Sequence, residues 1–266
     1  MAASPSLSSL AYPGHVLALG INDTASVLAI QRRLNQLGCG PVAANGLYAA
    51  ETFEAVEIFQ MRSVDKFEVP LTVDGRVGPM TWAALFGSET APEVRKAASE
   101  LQEKTLEAAR AEIGVREDPP GSNRGPRVDE FLRSVGLDPG QDSFPWCAAF
   151  VYWCFDQAAR TLKRQNPVVR TAGVLDHWNK AGARGIPRIS TAEVEANPSL
   201  VLPGMVFIFA NSAGNGHTGL VERVDGVLLT TIEGNTNEGG SREGIGVFRR
   251  TARRIPSINR GFLDYR

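Results

Sequence analysis

The pattern of apolar and polar positions first predicts a small helical module near the start of the chain. Between Thr24 and Gly38 the apolar residues recur every three or four positions, which is typical of an amphipathic helix. Two more helical segments follow, each beginning near a Thr that comes soon after an Asn-Gly or Asp-Gly turn. The pattern therefore predicts a compact three-helix module over residues 24–87.

The module contains an internal repeat. The segment NGLYAAETFEAV begins at Asn45, and the similar segment DGRVGPMTWAAL begins 29 residues later at Asp74. In both copies the glycine of the turn suits a backbone with positive φ, and apolar residues follow at helical spacing. A turn followed by a helix is therefore the predicted repeated element.

After a short polar segment with Pro92, the pattern predicts a second domain of different texture. Helical spacing covers residues 94–115, 128–136 and 146–160, and β-branched or aromatic runs then alternate with turn residues. The runs predict strands at residues 205–209, 218–224, 227–232, 245–249 and 262–265. Helices followed by an antiparallel sheet are typical of an α+β domain. We therefore predict a leader at residues 1–23 that is poorly ordered, the module at 24–87, a linker and the start of a connecting helix at 88–99, and the α+β domain at 100–266.

Composition and charge exclude several classes of function. The 266 residues are enough for two domains, and a formal net charge of −1 gives no electrostatic footprint for nucleic acid. No apolar run approaches the roughly 18 to 20 residues that a transmembrane helix needs, and the first twenty residues lack the Lys or Arg of a secretory signal peptide. Three cysteines do not form a disulfide framework. We expect a monomer that binds no nucleic acid, does not insert into a membrane and is made in the cytoplasm without a signal peptide.

Cys147 is the first residue with the context of a nucleophile. It stands in FPWCAAF, where Pro145 suits the first turn of a helix and so places the thiol near a helix N-terminus. There the helix dipole and the free backbone N–H groups favour a thiolate and can also receive the oxyanion of an attacked carbonyl. The alternative is a buried, unreactive thiol. Trp146, beside Cys147, is expected to line the groove or the core and is a weaker candidate for contact with substrate.

His217 is the strongest of three histidines as a general base. His15 lies in the Pro-rich leader and His177 in a helical segment, whereas His217 follows a Gly-rich loop and opens a strand. Gly219, two positions later, leaves room beside the imidazole. Taken alone, a histidine at a strand entrance is more often a surface residue or a residue with satisfied hydrogen bonds.

Glu233 and Asn235 are candidates for the residue that orients the imidazole. They are two positions apart at the end of the next predicted strand, so their side chains point to one face and offer two acceptors. Either could bind the second nitrogen of His217. In isolation both would be interpreted as solvated residues at a strand end, and the pattern has meaning only together with Cys147 and His217.

The register of the predicted hairpin decides whether these groups meet. A two-residue Asp225-Gly226 turn would pair His217 with Gly234 and point both acceptors away from it. A triad therefore requires a three-residue loop or a bulge near residues 224–227, pairing His217 with Glu233 or Asn235.

Two known families share these motifs. PWCAAFVYWC, GHTGLVERV and TIEGNTN, in this order, resemble the CHAP family of cysteine- and histidine-dependent amidohydrolases and peptidases, with a papain-like fold. This resemblance covers about residues 100–266 and implies that Cys147 is the nucleophile, His217 the base and Glu233 the orienting acid, with Asn235 as a neighbour or substitute. Residues 138–142 do not reproduce the acidic loop with which some CHAP enzymes bind calcium, so we expect no metal and no cofactor. VLAIQRRLNQLG and the two repeat copies resemble a three-helix peptidoglycan-binding module.

Together the two resemblances imply a cell-wall hydrolase that cleaves an amide bond in the peptide part of bacterial peptidoglycan through a cysteine thioester. The bond could be N-acetylmuramoyl-L-alanine or one inside the stem peptide or the cross-bridge. The protein would act as an endolysin or an exported antibacterial effector and would reach the wall by lysis, pore passage or dedicated secretion. The rival hypotheses are a non-catalytic peptidoglycan-binding or structural protein, and a toxin that acts on proteins.

Overall fold

The computed structural model describes residues 10–65, 70–87, 96–210, 216–225, 228–237 and 244–266. The chain divides into two compact units, Met1–Val94 and Arg95–Arg266. Each unit has an apolar core of its own.

The first unit contains the three predicted helices, α1 (Thr24–Gln36), α2 (Ala50–Met61) and α3 (Pro79–Phe86). Asp23 caps the start of α1, because its carboxylate accepts a hydrogen bond from the backbone N–H of Ser26 at 3.1 Å. Helix α3 begins at Pro79, since a proline at this position removes one of the backbone N–H groups that would have no partner within the helix. The predicted helical module is therefore present.

The internal repeat is repeated in the hydrogen bonds as well. Gln31 accepts from the N–H of the turn glycine Gly46 at 2.8 Å, and Gln60, 29 positions later, accepts from the turn glycine Gly75 at 3.0 Å. Both glutamines are almost fully buried, and each donates to a threonine hydroxyl of the next helix, at 2.9 and 3.3 Å. One buried amide thus fastens each turn to two helices.

Residues 10–23 differ from the prediction of a poorly ordered leader. Leu17 is fully buried and exchanges backbone hydrogen bonds with Val77, at 3.1 and 2.8 Å. The indole N–H of Trp82 donates to the carbonyl of Leu10 at 3.0 Å, and Tyr12 packs edge-on against the same ring. This part of the leader belongs to the module, because it covers apolar surface that three short helices leave open. Residues 1–9 lie outside the described residues.

The second unit is a helical layer followed by a sheet. Its helices are α4 (Glu100–Ala111), α5 (Pro126–Ser134), α6 (Cys147–Thr161), α7 (Val174–Ala183) and α8 (Thr191–Ala196). Its strands are β1 (Arg188–Ser190), β2 (Val206–Ala210), β3 (Gly216–Asp225), β4 (Leu228–Thr236), β5 (Gly246–Arg254) and β6 (Gly261–Leu263). All neighbouring strands are antiparallel, in the order β1-β6-β2-β3-β4-β5. The predicted α+β fold class is confirmed, although β1 and α8 were not predicted. In the described ranges no helix has both the length and the apolar content that crossing a bilayer requires.

The β3–β4 hairpin contains the irregularity that the triad requires. Asp225 pairs with Leu228 and the regular ladder continues to Arg223, but the next pair is Val221 with Thr231. Glu222 is therefore the extra residue of a β-bulge. The bulge lies two residues before the segment in which it was predicted, and residues 226–227 are outside the described part of the chain.

His177 gives the second unit an expected sensitivity to acid. Its imidazole is almost fully buried on α7, and Nε2 shares a hydrogen bond of 2.8 Å with the hydroxyl of Tyr265. Burial lowers the pKa of His177 from 6.5 to about 4, although Asp176 opposes the shift. Between these values the unfolded chain binds a proton that the folded chain does not, so stability should fall by roughly 3 kcal/mol as the pH drops from 6.5 to 4.

The variant His177→Phe should remove this titration while keeping a ring in the core. Urea unfolding at pH 7 and at pH 4.5 would compare the two proteins, and the loss of stability on acidification should be clearly smaller in the variant. An equal loss in both proteins would assign the acid sensitivity to other groups.

Candidate active site

Cys147 is the first helical residue of α6. Trp146 occupies the N-cap position before the helix, and its side chain makes no capping hydrogen bond. Pro145 therefore lies outside the first turn, in which it was predicted. The backbone N–H groups of the first turn have no partner within the helix, and they carry the positive end of its dipole. The thiol of Cys147 is therefore placed where a negative charge on sulfur is favoured.

Glu233 is the residue that binds His217. Continued from the pair of Leu220 and Ile232, the register places Glu233 across from Gly219, which is two residues along β3 from His217 and on the same face. Nε2 of His217 lies 2.7 Å from Oε2 of Glu233, and both side chains are buried. A Cβ atom on Gly219 would come within 2.8 Å of Cγ of Glu233. The missing side chain at position 219 is what allows the carboxylate to reach the imidazole.

The second nitrogen of His217 is available to the thiol. Nδ1 is buried and has no hydrogen-bond partner in the described part of the chain, and the Cys147 sulfur interacts with the ring. Since Nε2 is occupied by Glu233, Nδ1 is the atom left to take the proton of Cys147. The structure thus brings the three predicted groups Cys147, His217 and Glu233 together.

His217 and Glu233 each stabilise the charged form of the other. Burial by itself would lower the pKa of His217, but the nearby Cys147 and Glu233 outweigh it and raise that pKa from 6.5 to about 9. Burial alone would raise the pKa of Glu233, but His217 and Arg253 hold it well below its usual range. An imidazolium beside an ionised carboxylate is therefore the favoured state at neutral pH.

Asn235 occupies a different place from the one predicted. Its backbone has φ of 54°, so the period-two alternation of the strand ends and its side chain no longer lies beside that of Glu233. With its amide oriented to suit its neighbours, Asn235 accepts from the backbone N–H of Trp146 at 3.2 Å and donates to the carbonyl of Gly244 at 2.9 Å. It therefore holds the start of α6, and Glu233 takes the position beside the imidazole.

Trp146 does not line a groove. The side chain is fully buried, its indole N–H donates to Oε1 of Glu117 at 2.9 Å, and its ring packs 5.7 Å from that of Phe131. A Cβ atom on Gly234 would come within 2.7 Å of the same ring. The expectation that Trp146 contacts substrate is corrected, since a side chain packed on all sides anchors the helix instead.

The other two thiols lie apart from this chemistry. Cys154 is fully buried in α6, seven residues after Cys147, and burial raises the pKa of its thiol. Cys39 is buried in the first unit, and all three cysteines are free. Both residues pack in the apolar core of their own unit.

Sequence reasoning missed Glu117 and Arg253. Glu117 lies in the loop after α4. Arg253 lies in β5, beyond residue 249, where the predicted strand ends. Both act over distances of 20 or more positions in the chain, on Trp146 and Glu233 respectively. The run of arginines in GVFRRTARR was the available signal, but only the register of β5 identifies the residue that reaches Glu233.

No cluster of three or more His, Cys, Asp or Glu side chains suited to a metal ion occurs within the described ranges.

Comparison with known families finds one match in each of the two units. Residues 139–235 match the CHAP domain, a range that includes Cys147, His217 and Glu233, and residues 23–85 match the family described as "Putative peptidoglycan binding domain". Both resemblances inferred from the sequence are confirmed. No curated protein and no solved structure matches the chain significantly.

Proposed function

We propose, for a chain that combines a peptidoglycan-binding domain with a CHAP domain, that it hydrolyses an amide bond in the peptide part of bacterial peptidoglycan. One observation carries the proposal: a cysteine at the first residue of a helix stands beside a histidine whose far nitrogen is bound to a buried carboxylate. This is the arrangement that nucleophilic acyl transfer requires, a nucleophile, a base and a group that orients the base.

The reaction begins from the ion pair in which Nδ1 of His217 already carries the proton of the Cys147 thiol. The thiolate attacks the amide carbonyl carbon, and the resulting oxyanion is stabilised by the free backbone N–H groups of the first turn of α6. The tetrahedral intermediate collapses, the C–N bond breaks, and the His217 imidazolium protonates the leaving amine. The products of this half-reaction are a free amine and a thioester on Cys147.

The second half-reaction restores the enzyme. His217 takes a proton from water, and the hydroxide attacks the thioester carbonyl carbon. Collapse of this second tetrahedral intermediate breaks the C–S bond and releases a carboxylic acid. Glu233 stabilises the imidazolium in both halves and keeps the ring in one orientation.

Digestion of purified, insoluble peptidoglycan tests the proposal. New termini identified by mass spectrometry should be one amine and one carboxylate for each cut, at the muramoyl–alanine bond for an amidase or within the peptide for an endopeptidase. New reducing sugar ends would contradict amide hydrolysis, and an intact wall after binding would favour a non-catalytic protein. An endolysin and an exported antibacterial effector would share this chemistry and differ in how the protein reaches the wall.

Separating the two units should weaken action on the insoluble wall far more than action on soluble fragments. A binding module raises the local concentration of the catalytic unit on a polymer, so we expect residues 95–266 alone to cleave whole wall at least about tenfold more slowly than the full chain. Cleavage of soluble peptide fragments should be nearly unchanged. Residues 1–94 should sediment with the wall.

Sedimentation and turbidity assays on the two pieces check this expectation. If residues 1–94 stay in solution while residues 95–266 bind as tightly as the full chain, the first unit is not the tether.

A further inference from the structure

Arg253 binds the carboxylate that orients His217. From β5, its Nε donates to Oε1 of Glu233 and its Nη2 to Oε2, both at 2.7 Å. Oε2 is the same oxygen that lies 2.7 Å from Nε2 of His217, and Thr231 donates to Oε1. Each oxygen of the carboxylate therefore has two partners, and one oxygen is shared between the imidazole and the guanidinium.

An aromatic ring packs against the row of side chains formed by His217, Glu233 and Arg253. The guanidinium carbon of Arg253 lies 4.6 Å from the centroid of Phe207, and the ring of Phe207 lies 6.0 Å from that of His217. Gly219 is opposite Phe207 in the sheet, and a Cβ atom there would be 2.9 Å from the Phe207 ring. Phe207 thus packs against both ends of the row, and the glycine leaves the space in which the carboxylate lies.

We propose that Arg253 is a positioning residue of the catalytic site, which acts on His217 through Glu233. This rests on the function proposed above. The planar fork of the guanidinium matches both carboxylate oxygens, so it fixes the rotation of Glu233 and thereby the direction of the bond to His217. The Glu233 side chain is fully buried and that of Arg253 is 13% exposed, which limits the competition of solvent for these bonds.

The fork also sets how strongly the imidazolium is stabilised. Cys147, His217, Glu233 and Arg253 form an alternating series of charges when the thiol proton is on the imidazole. A cation near an imidazole disfavours its protonated form, so Arg253 offsets part of the effect of Glu233 on His217. A further charged group is Arg250, which interacts electrostatically with Glu233 and Arg253.

Removing the guanidinium should therefore move the titration of His217 in a predictable direction. In the full-length protein with wild-type Arg253, the pH dependence of Cys147 alkylation by iodoacetamide should show a step near pH 9, where the imidazolium loses its proton. In Arg253→Met this step should move to higher pH by about half a unit or more. In Arg253→Lys, which keeps the charge and loses the fork, the step should stay near pH 9.

Measurements of hydrolysis separate the effect of the Arg253 charge from its effect on the orientation of Glu233. We expect kcat for peptidoglycan fragments to fall about tenfold or more in Arg253→Met and in Arg253→Lys, with KM little changed, because orientation of the base is lost in both. The matched control Arg254→Met changes an exposed arginine of the same strand, and it should leave the step and kcat as they are. Thermal unfolding of each variant shows that the protein measured is folded.

A double variant keeps the test decisive if Arg253→Met folds poorly. Glu233→Gln leaves Arg253 as a buried cation beside the imidazole, so Glu233→Gln/Arg253→Met should be at least as active as Glu233→Gln alone. Losses that multiply, or a folded Arg253→Met with an unmoved step and unchanged kcat, would overturn the proposal. Because alkylation does not need peptidoglycan, a wild-type step near pH 9 without wall hydrolysis would sink the proposed function and not the role of Arg253.

Discussion

Replacement of Cys147 by alanine is expected to abolish hydrolysis of peptidoglycan and to leave the fold and wall binding intact. In the proposed mechanism the sulfur is the atom that forms the thioester, so without it no acyl-enzyme can form. The change removes one atom from a residue in the first turn of α6, and alanine suits a helix. Release of new amine termini from purified wall, measured beside circular dichroism and sedimentation with the wall, checks all three expectations.

The control for this variant is Cys154→Ala on the same helix. Cys154 is fully buried seven positions later, and burial raises the pKa of its thiol. Its loss tests packing alone, so most hydrolysis should survive. Hydrolysis that persists in Cys147→Ala, or that disappears equally in a well-folded Cys154→Ala, would remove Cys147 from the position of nucleophile.

Replacement of His217 by alanine should be nearly as severe, with a loss of roughly 10³-fold or more in kcat. In the proposed mechanism the imidazole serves as both base and acid, and it is the partner of both the thiol and Glu233. Groups that act as a unit are not additive. The double variant Cys147→Ala/His217→Ala should therefore be no slower than Cys147→Ala, as initial rates on soluble fragments would show.

His177→Phe is the matched control, since it replaces the other buried histidine of the second unit. His177 is bound to Tyr265 and takes no part in the site. At pH 7 this variant should hydrolyse peptidoglycan at close to the wild-type rate. If His217→Ala kept a tenth or more of wild-type activity, another base would have to serve the thiol.

Much of the fold could be predicted because its signals are local. The spacing of apolar residues in α1, α5 and α6, and the turn glycines Gly46 and Gly75, depend on neighbours a few positions apart. The position of Cys147 at a helix start and of His217 at a strand start follows from signals of the same range. Leu17 escaped prediction because its burial depends on pairing with Val77, sixty positions away.

The arrangement of the site around these residues could not be predicted, because it depends on register. Glu233 and Asn235 are equivalent under strict alternation, and only the positive φ of Asn235 turns its side chain toward Trp146. Arg253 reaches Glu233 across a second irregular ladder, between β4 and β5. Such shifts arise from the summed packing of several strands and leave no mark in a short window of sequence.

The bulge at Glu222 has a consequence for how firmly the catalytic face is defined. A bulge in an open ladder could migrate by one pair at a time, and each step would turn part of β3 over. Here the extra residue is anchored, since its buried carboxylate accepts hydrogen bonds from Arg110 of α4 at 2.9 Å and from Arg249 of β5 at 2.7 and 3.0 Å. Two arginines from outside the hairpin therefore fix the position of the bulge and with it the register of β3. The side of the sheet on which His217 lies thus depends on ion pairs made five residues away, at Glu222.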